Sequence, residues 1–111
     1  MIIILRDKKA TKDKIEKMSK EYIDYIKVVI DIEKEVLAGG AAFHYEEEQE
    51  LMEYGCKQEN LWGGGIDLKT GQIDYNSMIN IRPNQNNPSR DVLSQVVKDK
   101  FDKVLNRLID L

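Results

Sequence analysis

Hydrophobic residues recur along this chain with period two in some stretches and with helical spacing in others. Ile2-Ile3-Ile4-Leu5 is a short β-branched run followed by the charged cluster Arg6-Asp7-Lys8-Lys9, which suits an inner strand ending in a turn. Thr11 is a candidate N-cap, and Ile15, Met18 and Tyr22 then share one face, predicting a helix over 11–23. From Ile26 to Val36 every even position is apolar with Lys34 as the single exception, and the odd positions are Lys27, Val29, Asp31, Glu33 and Glu35. A helical stripe through Ile23, Ile26, Ile30 and Leu37 competes, but the β-branched run Val28-Val29-Ile30 favours one strand, ended by Gly39-Gly40.

The stretch 43–54 reads as a helix, with its glutamates in the first turns where the macrodipole favours them and Gly55 as its left-handed terminator. Leu61-Trp62 then enters Gly63-Gly64-Gly65 and Ile66-Asp67-Leu68, and Lys69-Thr70-Gly71-Gln72 is a turn. Beyond it Ile73, Tyr75, Ser77, Ile79 and Ile81 alternate with Asp74, Asn76, Met78, Asn80 and Arg82, predicting the return strand of a hairpin. A last helix is expected from Ser89 or Asp91, with Leu93, Val97, Phe101, Val104, Leu108 and Leu111 on its apolar stripe. The expected architecture is α+β in the order β-α-β-α-β-β-α, a four-stranded, mostly antiparallel sheet with helices packed on one face.

At 111 residues the chain is expected to form a single globular domain, 1–111, whose core needs no staple. The net charge of −3 argues against a general nucleic-acid binder, and no apolar run is long enough for a signal peptide or a membrane span. A lone cysteine, Cys56, excludes an internal disulfide and points to a reducing, cytoplasmic setting.

Candidate chemistry centres on Ile79-Asn80-Ile81-Arg82-Pro83-Asn84-Gln85-Asn86-Asn87-Pro88-Ser89-Arg90. If helices cover the isoleucine side of the strand, Asn80 and Arg82 lie on its open face with Asp74 and Asn76. The amide-rich loop then leads to a helix start beside Arg90, where free N–H groups and forked guanidinium donors suit a carboxylate or phosphate. Trp62 and the three glycines let a ligand or another backbone approach closely. They are not a phosphate-binding loop, which needs a lysine with serine or threonine and then a helix. His44, the only histidine, sits among Glu46, Glu47 and Glu48, and a strand carrying Asp31, Glu33 and Glu35 is expected nearby, a setting for acid–base or metal chemistry although no metal motif is present. Cys56 follows a helix rather than preceding one and so lacks the field that activates a thiol.

Several segments in order carry a resemblance. They are Val29-Ile30-Asp31-Ile32-Glu33-Lys34-Glu35, Gly39-Gly40 with His44 shortly after, Gly55-Cys56-Lys57-Gln58 with Leu61-Trp62-Gly63, and Ser77-Met78-Ile79-Asn80-Ile81-Arg82-Pro83 with Ser89-Arg90. Together they resemble an uncharacterised family of small archaeal and bacterial proteins, a domain of unknown function. The resemblance implies that His44, Gln58, Trp62, Asn80, Arg82 and Arg90 match recurring positions, and it brings no activity or cofactor. The leading expectation is a small binding or regulatory domain whose ligand-binding residues are Arg82, Arg90, Asn80, Gln58, Trp62 and His44, with a small anion as ligand and no cofactor. The alternatives are a metal-assisted enzyme using His44 and nearby carboxylates, and a structural homodimer pairing through the open sheet face that carries Met78 or through a sheet edge.

Overall fold

A computed structural model describes residues 1–110; Leu111, assigned above to the apolar stripe of the last helix, lies outside the described residues. The strands are β1 (Ile3–Leu5), β2 (Tyr25–Asp31), β3 (Val36–Gly39), β4 (Leu61–Asp67) and β5 (Ile73–Asp74). The α-helices are α1 (Lys12–Met18), α2 (His44–Tyr54) and α3 (Gln95–Leu108). The sheet is antiparallel throughout, in the order β1-β3-β2-β4-β5. The α+β class and the approximate element order match the sequence reading, but the sheet has five strands rather than four.

The extra strand comes from the segment read as one. Asp31 ends β2, and its buried carboxylate Oδ1 accepts from the N–H groups of Glu33 and Lys34 at 2.9 and 2.8 Å. Glu35 takes a left-handed conformation with φ of 57° and its N–H returns to the Asp31 carbonyl. The chain therefore reverses over Ile32 to Glu35, and β3 pairs back along β2 with Asp31 opposite Val36. The reversal swaps parity: Leu37 joins the face of Ile26, Val28 and Ile30, and Val36 joins that of Val29. The apolar residues at even positions that read as one stripe thus end on opposite faces, and Lys34 falls in the turn.

Alternation along β2 divides the core. Ile26, Val28 and Ile30 pack with Leu37, with Met18 of α1 and with Phe101, Val104, Leu105 and Leu108 of α3. Val29 faces the other way and packs with Val36, Ala38, Leu61 and Leu51 of α2. Helices thus cover both faces of the sheet, not one as expected. Thr11 caps α1 as predicted, its Oγ1 accepting from the Lys14 N–H, and Gly55 closes α2 in the left-handed conformation. The helix α3 starts later than predicted. Ser94, not Ser89 or Asp91, is its N-cap, with Oγ accepting from the Val97 N–H, and Leu93 and Val96 are left exposed.

The largest departure is the expected strand over 73–81. Only Ile73 and Asp74 pair with β4. Asp74 Oδ1 then accepts from the Asn76 N–H, and Ser77 caps a 3-10 turn at Met78–Asn80 through a bond from the Ile79 N–H. Polar side chains two apart from backbone donors compete with a ladder in this way. The alternation is genuine, but it serves a folded-back loop.

Three glycines in β4 fit their neighbours tightly. A Cβ on Gly64 would collide with the Asp74 carbonyl oxygen and lie 2.8 Å from the Phe101 ring. Gly64→Ala is therefore expected to destabilise the fold by about 1–3 kcal/mol, the usual range for overpacking. A thermal melt should show a drop of several degrees, about 4–8 °C per kcal/mol near this size.

Candidate functional site

On the α2 side of the sheet a cleft of about 590 Å³ opens between β2, the first turn of α2 and the loop after β5. Its floor depends on the glycines. A Cβ on Gly63 would lie 2.7 Å from Ser77 Cβ and 3.2 Å from His44 Cδ2, and one on Gly65 would strike the Tyr25 phenol. Bare backbone at these two positions lets the imidazole and the phenol lie flat against β4.

Each polar group in the wall has a definite arrangement. His44 Nε2 lies 2.7 Å from the Gly64 carbonyl oxygen. Burial, aided by the Lys27 charge, lowers the pKa of the ring, while the Gly64 carbonyl and Asp74 oppose the shift in part, so the imidazole is neutral at pH 7. The Tyr25 hydroxyl donates to Asp74 Oδ2 at 2.7 Å, and burial first and that bond second push the phenol pKa well up, keeping the proton in place. Lys27 Nζ stands 5.0 Å from the Tyr22 ring centre and 5.8 Å from that of Phe43. Among the described residues neither Lys27 nor Arg90 makes an ion pair. Phe43, Tyr45 and Met78 are each more than 60% exposed and form an apolar rim.

Of the six residues the sequence singled out, His44 and Arg90 line this cleft. Asn80 is fully buried, contrary to its expected place on an open face. Its Oδ1 accepts from the Gly63 N–H, and its Nδ2 donates to the carbonyls of Gly63, Tyr75 and Arg90, all at 2.9–3.0 Å. Arg82, Gln58 and Trp62 form a separate cluster outside the cleft lining. Arg82 donates to the carbonyls of Gln58 and Leu61 and stacks 4.0 Å above the Trp62 ring, and Trp62 is itself buried. The two arginines that bracket the loop thus do different things: Arg82 ties it to β4, and Arg90 reaches the cleft. Arg90 also does not stand at a helix start, because α3 begins beyond Ser94.

The acids expected around His44 are dispersed. Glu46 Oε1 accepts from the Phe43 N–H at the start of α2. Glu48 is buried beside Gln58 and Arg82, and Glu33 and Glu35 pair with Lys100 and Arg107. Among the described residues no three His, Cys, Asp or Glu side chains converge as a metal site requires. Cys56 is buried beside Asp31, and burial with that carboxylate pushes its thiol up to about 11, so it is unreactive at neutral pH.

Sequence reasoning missed Tyr25 and Lys27, and it named Asp74 only as a neighbour of Asn80 and Arg82 on the expected open face. The first two share the odd-numbered face of β2 with Val29, so the alternation already placed them together. Asp74 joins them only through the β4–β5 register, in which it lies opposite Gly65.

A model of a family described as proteins of unknown function (DUF5674) matches residues 2–108. The chain belongs to this family. No curated protein and no solved structure gives a match. What this DUF5674 member does must therefore be argued from its own geometry.

Glu47 anchors the turn that carries His44. It is fully buried, its Oε2 accepts from the Ala41 N–H at 3.0 Å, and its Oε1 has no partner. Burial pushes its pKa up to about 9, so the folded protein keeps this acid protonated at pH 7. In the unfolded chain it titrates near 4.5. The folded state therefore binds one more proton between these values, and the contribution of Glu47 to stability is complete below 4.5 and declines as pH rises towards 9, with a limiting slope of about 1.4 kcal/mol per pH unit. Glu47→Gln keeps the shape and removes the titration. Chemical denaturation from pH 6 to 9 should show wild type losing stability with a steeper slope than the variant; parallel slopes would mean that Glu47 is already ionised.

Proposed function

We propose that this protein is a small binding domain whose cleft takes an anionic small molecule with an apolar body. The observation that carries this reading is the presence in one 590 Å³ cleft of two cations that form no ion pair among the described residues, Lys27 and Arg90, beside an exposed apolar rim. Pockets of this size with a few convergent polar groups are the usual form of ligand sites. A lysine and an arginine with free donors suit a carboxylate or a phosphate, and Phe43, Tyr45 and Met78 offer area to the rest of the ligand.

The acids that also line the cleft are directed at neutral donors and not at the cations. Glu46 is engaged at the start of α2, and Asp74 accepts from both Tyr25 and Asn76. Arg82, Gln58 and Trp62 leave the expected ligand set and become its support, since their groups face β4 and one another. Asn80 stays in the argument indirectly, because it holds the Arg90 main chain.

A thermal-shift panel of aromatic and aliphatic carboxylates, mononucleotides and inorganic phosphate tests the reading. A binder at about 100 times its dissociation constant adds roughly 2.7 kcal/mol, a rise of about 10 °C for a domain of this size. Arg90→Ala and Lys27→Ala should each weaken binding about tenfold or more, equivalent to about 1.4 kcal/mol. Arg82→Ala should instead lower the unliganded melting temperature, by an amount corresponding to about 1–3 kcal/mol, and leave affinity nearly unchanged. Binding that depends on Arg82 and not on Arg90 would reject the cleft as the site.

A further inference from the structure

The orientation of the single histidine narrows the class of anion. Gly64 offers its carbonyl oxygen to His44 Nε2 at 2.7 Å, and a carbonyl has only lone pairs to give. Nε2 must therefore carry the hydrogen. In a neutral imidazole the other nitrogen is then a bare acceptor, so the Gly64 carbonyl fixes Nδ1 as a lone pair. The ring cannot easily turn away from this arrangement. It is packed on the Gly63 backbone, where even a methyl group would come within 3.2 Å of Cδ2, and it hangs from the first residue of α2. No protein donor among the described residues bonds Nδ1, although His44 is part of the cleft wall.

We infer that the cleft selects anions that also carry a hydrogen-bond donor, a hydroxyl or an N–H, with Lys27 and Arg90 holding the anionic group and His44 Nδ1 accepting from the donor. This inference rests on the anion reading of the same cleft. Hydroxy-carboxylates with an apolar body satisfy the wall as a whole: acid to the cations, hydroxyl to the imidazole, hydrocarbon to Phe43, Tyr45 and Met78. A ligand without the hydroxyl would bury the Nδ1 lone pair with no partner, and that desolvation is what discriminates. Burial keeps the ring neutral at pH 7, so the acceptor is available under ordinary conditions.

Two measurements test this. Because the chain has one histidine, ¹⁵N spectra of labelled protein report its tautomer without ambiguity. The expected result at neutral pH is a protonated Nε2 and an unprotonated Nδ1; a proton on Nδ1 overturns the inference whatever binds. The second is titration with 3-phenyllactate, as separate enantiomers, against 3-phenylpropionate, which differs only in lacking the hydroxyl. One phenyllactate enantiomer should bind about tenfold tighter than phenylpropionate. His44→Phe, which keeps a ring on Gly63 and removes the acceptor, should bind both acids with nearly equal affinity. If wild type binds the acids equally and Arg90→Ala weakens both, the histidine inference fails and the anion site stands. Retention of the preference in His44→Phe also overturns it. If neither acid binds at millimolar concentration, the anion reading fails for apolar carboxylates and the inference falls with it. Should His44→Phe not fold, the wild-type comparison and the tautomer still decide the matter.

Discussion

A single buried amide holds the upper half of this molecule together. Asn80 joins both backbone groups of Gly63 in β4 to the carbonyls of Tyr75 and Arg90. Asparagine suits the task because its short side chain carries an acceptor for the Gly63 N–H and two donor hydrogens, which the carbonyls of Gly63, Tyr75 and Arg90 share. The last two carbonyls also accept from the N–H groups of Val92 and Ser77. Asn87 extends the knot, donating to the carbonyls of Asn80, Ser89 and Asp91 and accepting from the Leu93 N–H. Beyond its two pairs with β5, β4 has no further ladder on that side, and this loop takes the place of a strand. The arrangement meets the demand that buried backbone groups be paired while leaving the chain irregular. An irregular chain is what brings Ser77, Met78 and Arg90 to the cleft, because a continuous strand over 73–81 would have directed them elsewhere.

The glycines of β4 are the counterpart of that knot. Side chains at Gly63 and Gly65 would fill the space taken by His44, Ser77 and Tyr25, and a side chain at Gly64 would fill that of Phe101. The strand thus forgoes packing of its own so that rings from β2, α2 and α3 can lie on its backbone. The same glycines weaken the strand intrinsically. Its pairing with all seven residues of β2 compensates, since this is the longest ladder in the sheet.

The sequence made the helices and the paired strands legible wherever one local rule decided the outcome. Thr11 and Gly55 ended helices by cap chemistry, and the stripe from Phe101 to Leu108 marked α3. Two readings failed because the same pattern served two structures. Apolar residues recur at even positions up to Val36, but both faces of β3 are buried, so Val36 finds a core on the face opposite to Ile30, and the Asp31 carboxylate bonds to Glu33 and Lys34 hold the reversal. Alternation from Ile73 to Ile81 suggested a strand, yet Asp74 and Ser77 each capture a backbone N–H two residues on. The candidate site was half legible: His44 and Arg90 were singled out by residue type, whereas Tyr25 lay before the strand as read from Ile26 and Lys27 counted only as a polar position in its alternation. Arg82 shows a different limit, since its donors are engaged by the carbonyls of Gln58 and Leu61. Charge and donor geometry that suit an anion suit backbone carbonyls equally well, and residue type does not distinguish the two.

Net charge is a poor guide to what such a cleft attracts. The excess of acids gives −3 for the chain, and acids also outnumber bases in the stretch that begins α2. Yet Glu47 is held neutral by burial, Glu48 is buried beside Arg82, and Asp31 is folded into its own turn. Each acid near the cleft either bonds to the backbone, as Glu46 does, or receives the Tyr25 hydroxyl, as Asp74 does. A carboxylate that accepts such bonds is committed in direction. Lys27 stands over the Tyr22 and Phe43 rings near the buried Glu47, and Arg90 contributes only its backbone to the knot. Bonds from neutral donors leave a carboxylate its charge but fix its direction, and the charged donors left unengaged in the cleft are those of Lys27 and Arg90. An acidic protein can in this way present an anion site, provided that its fold uses the acids first.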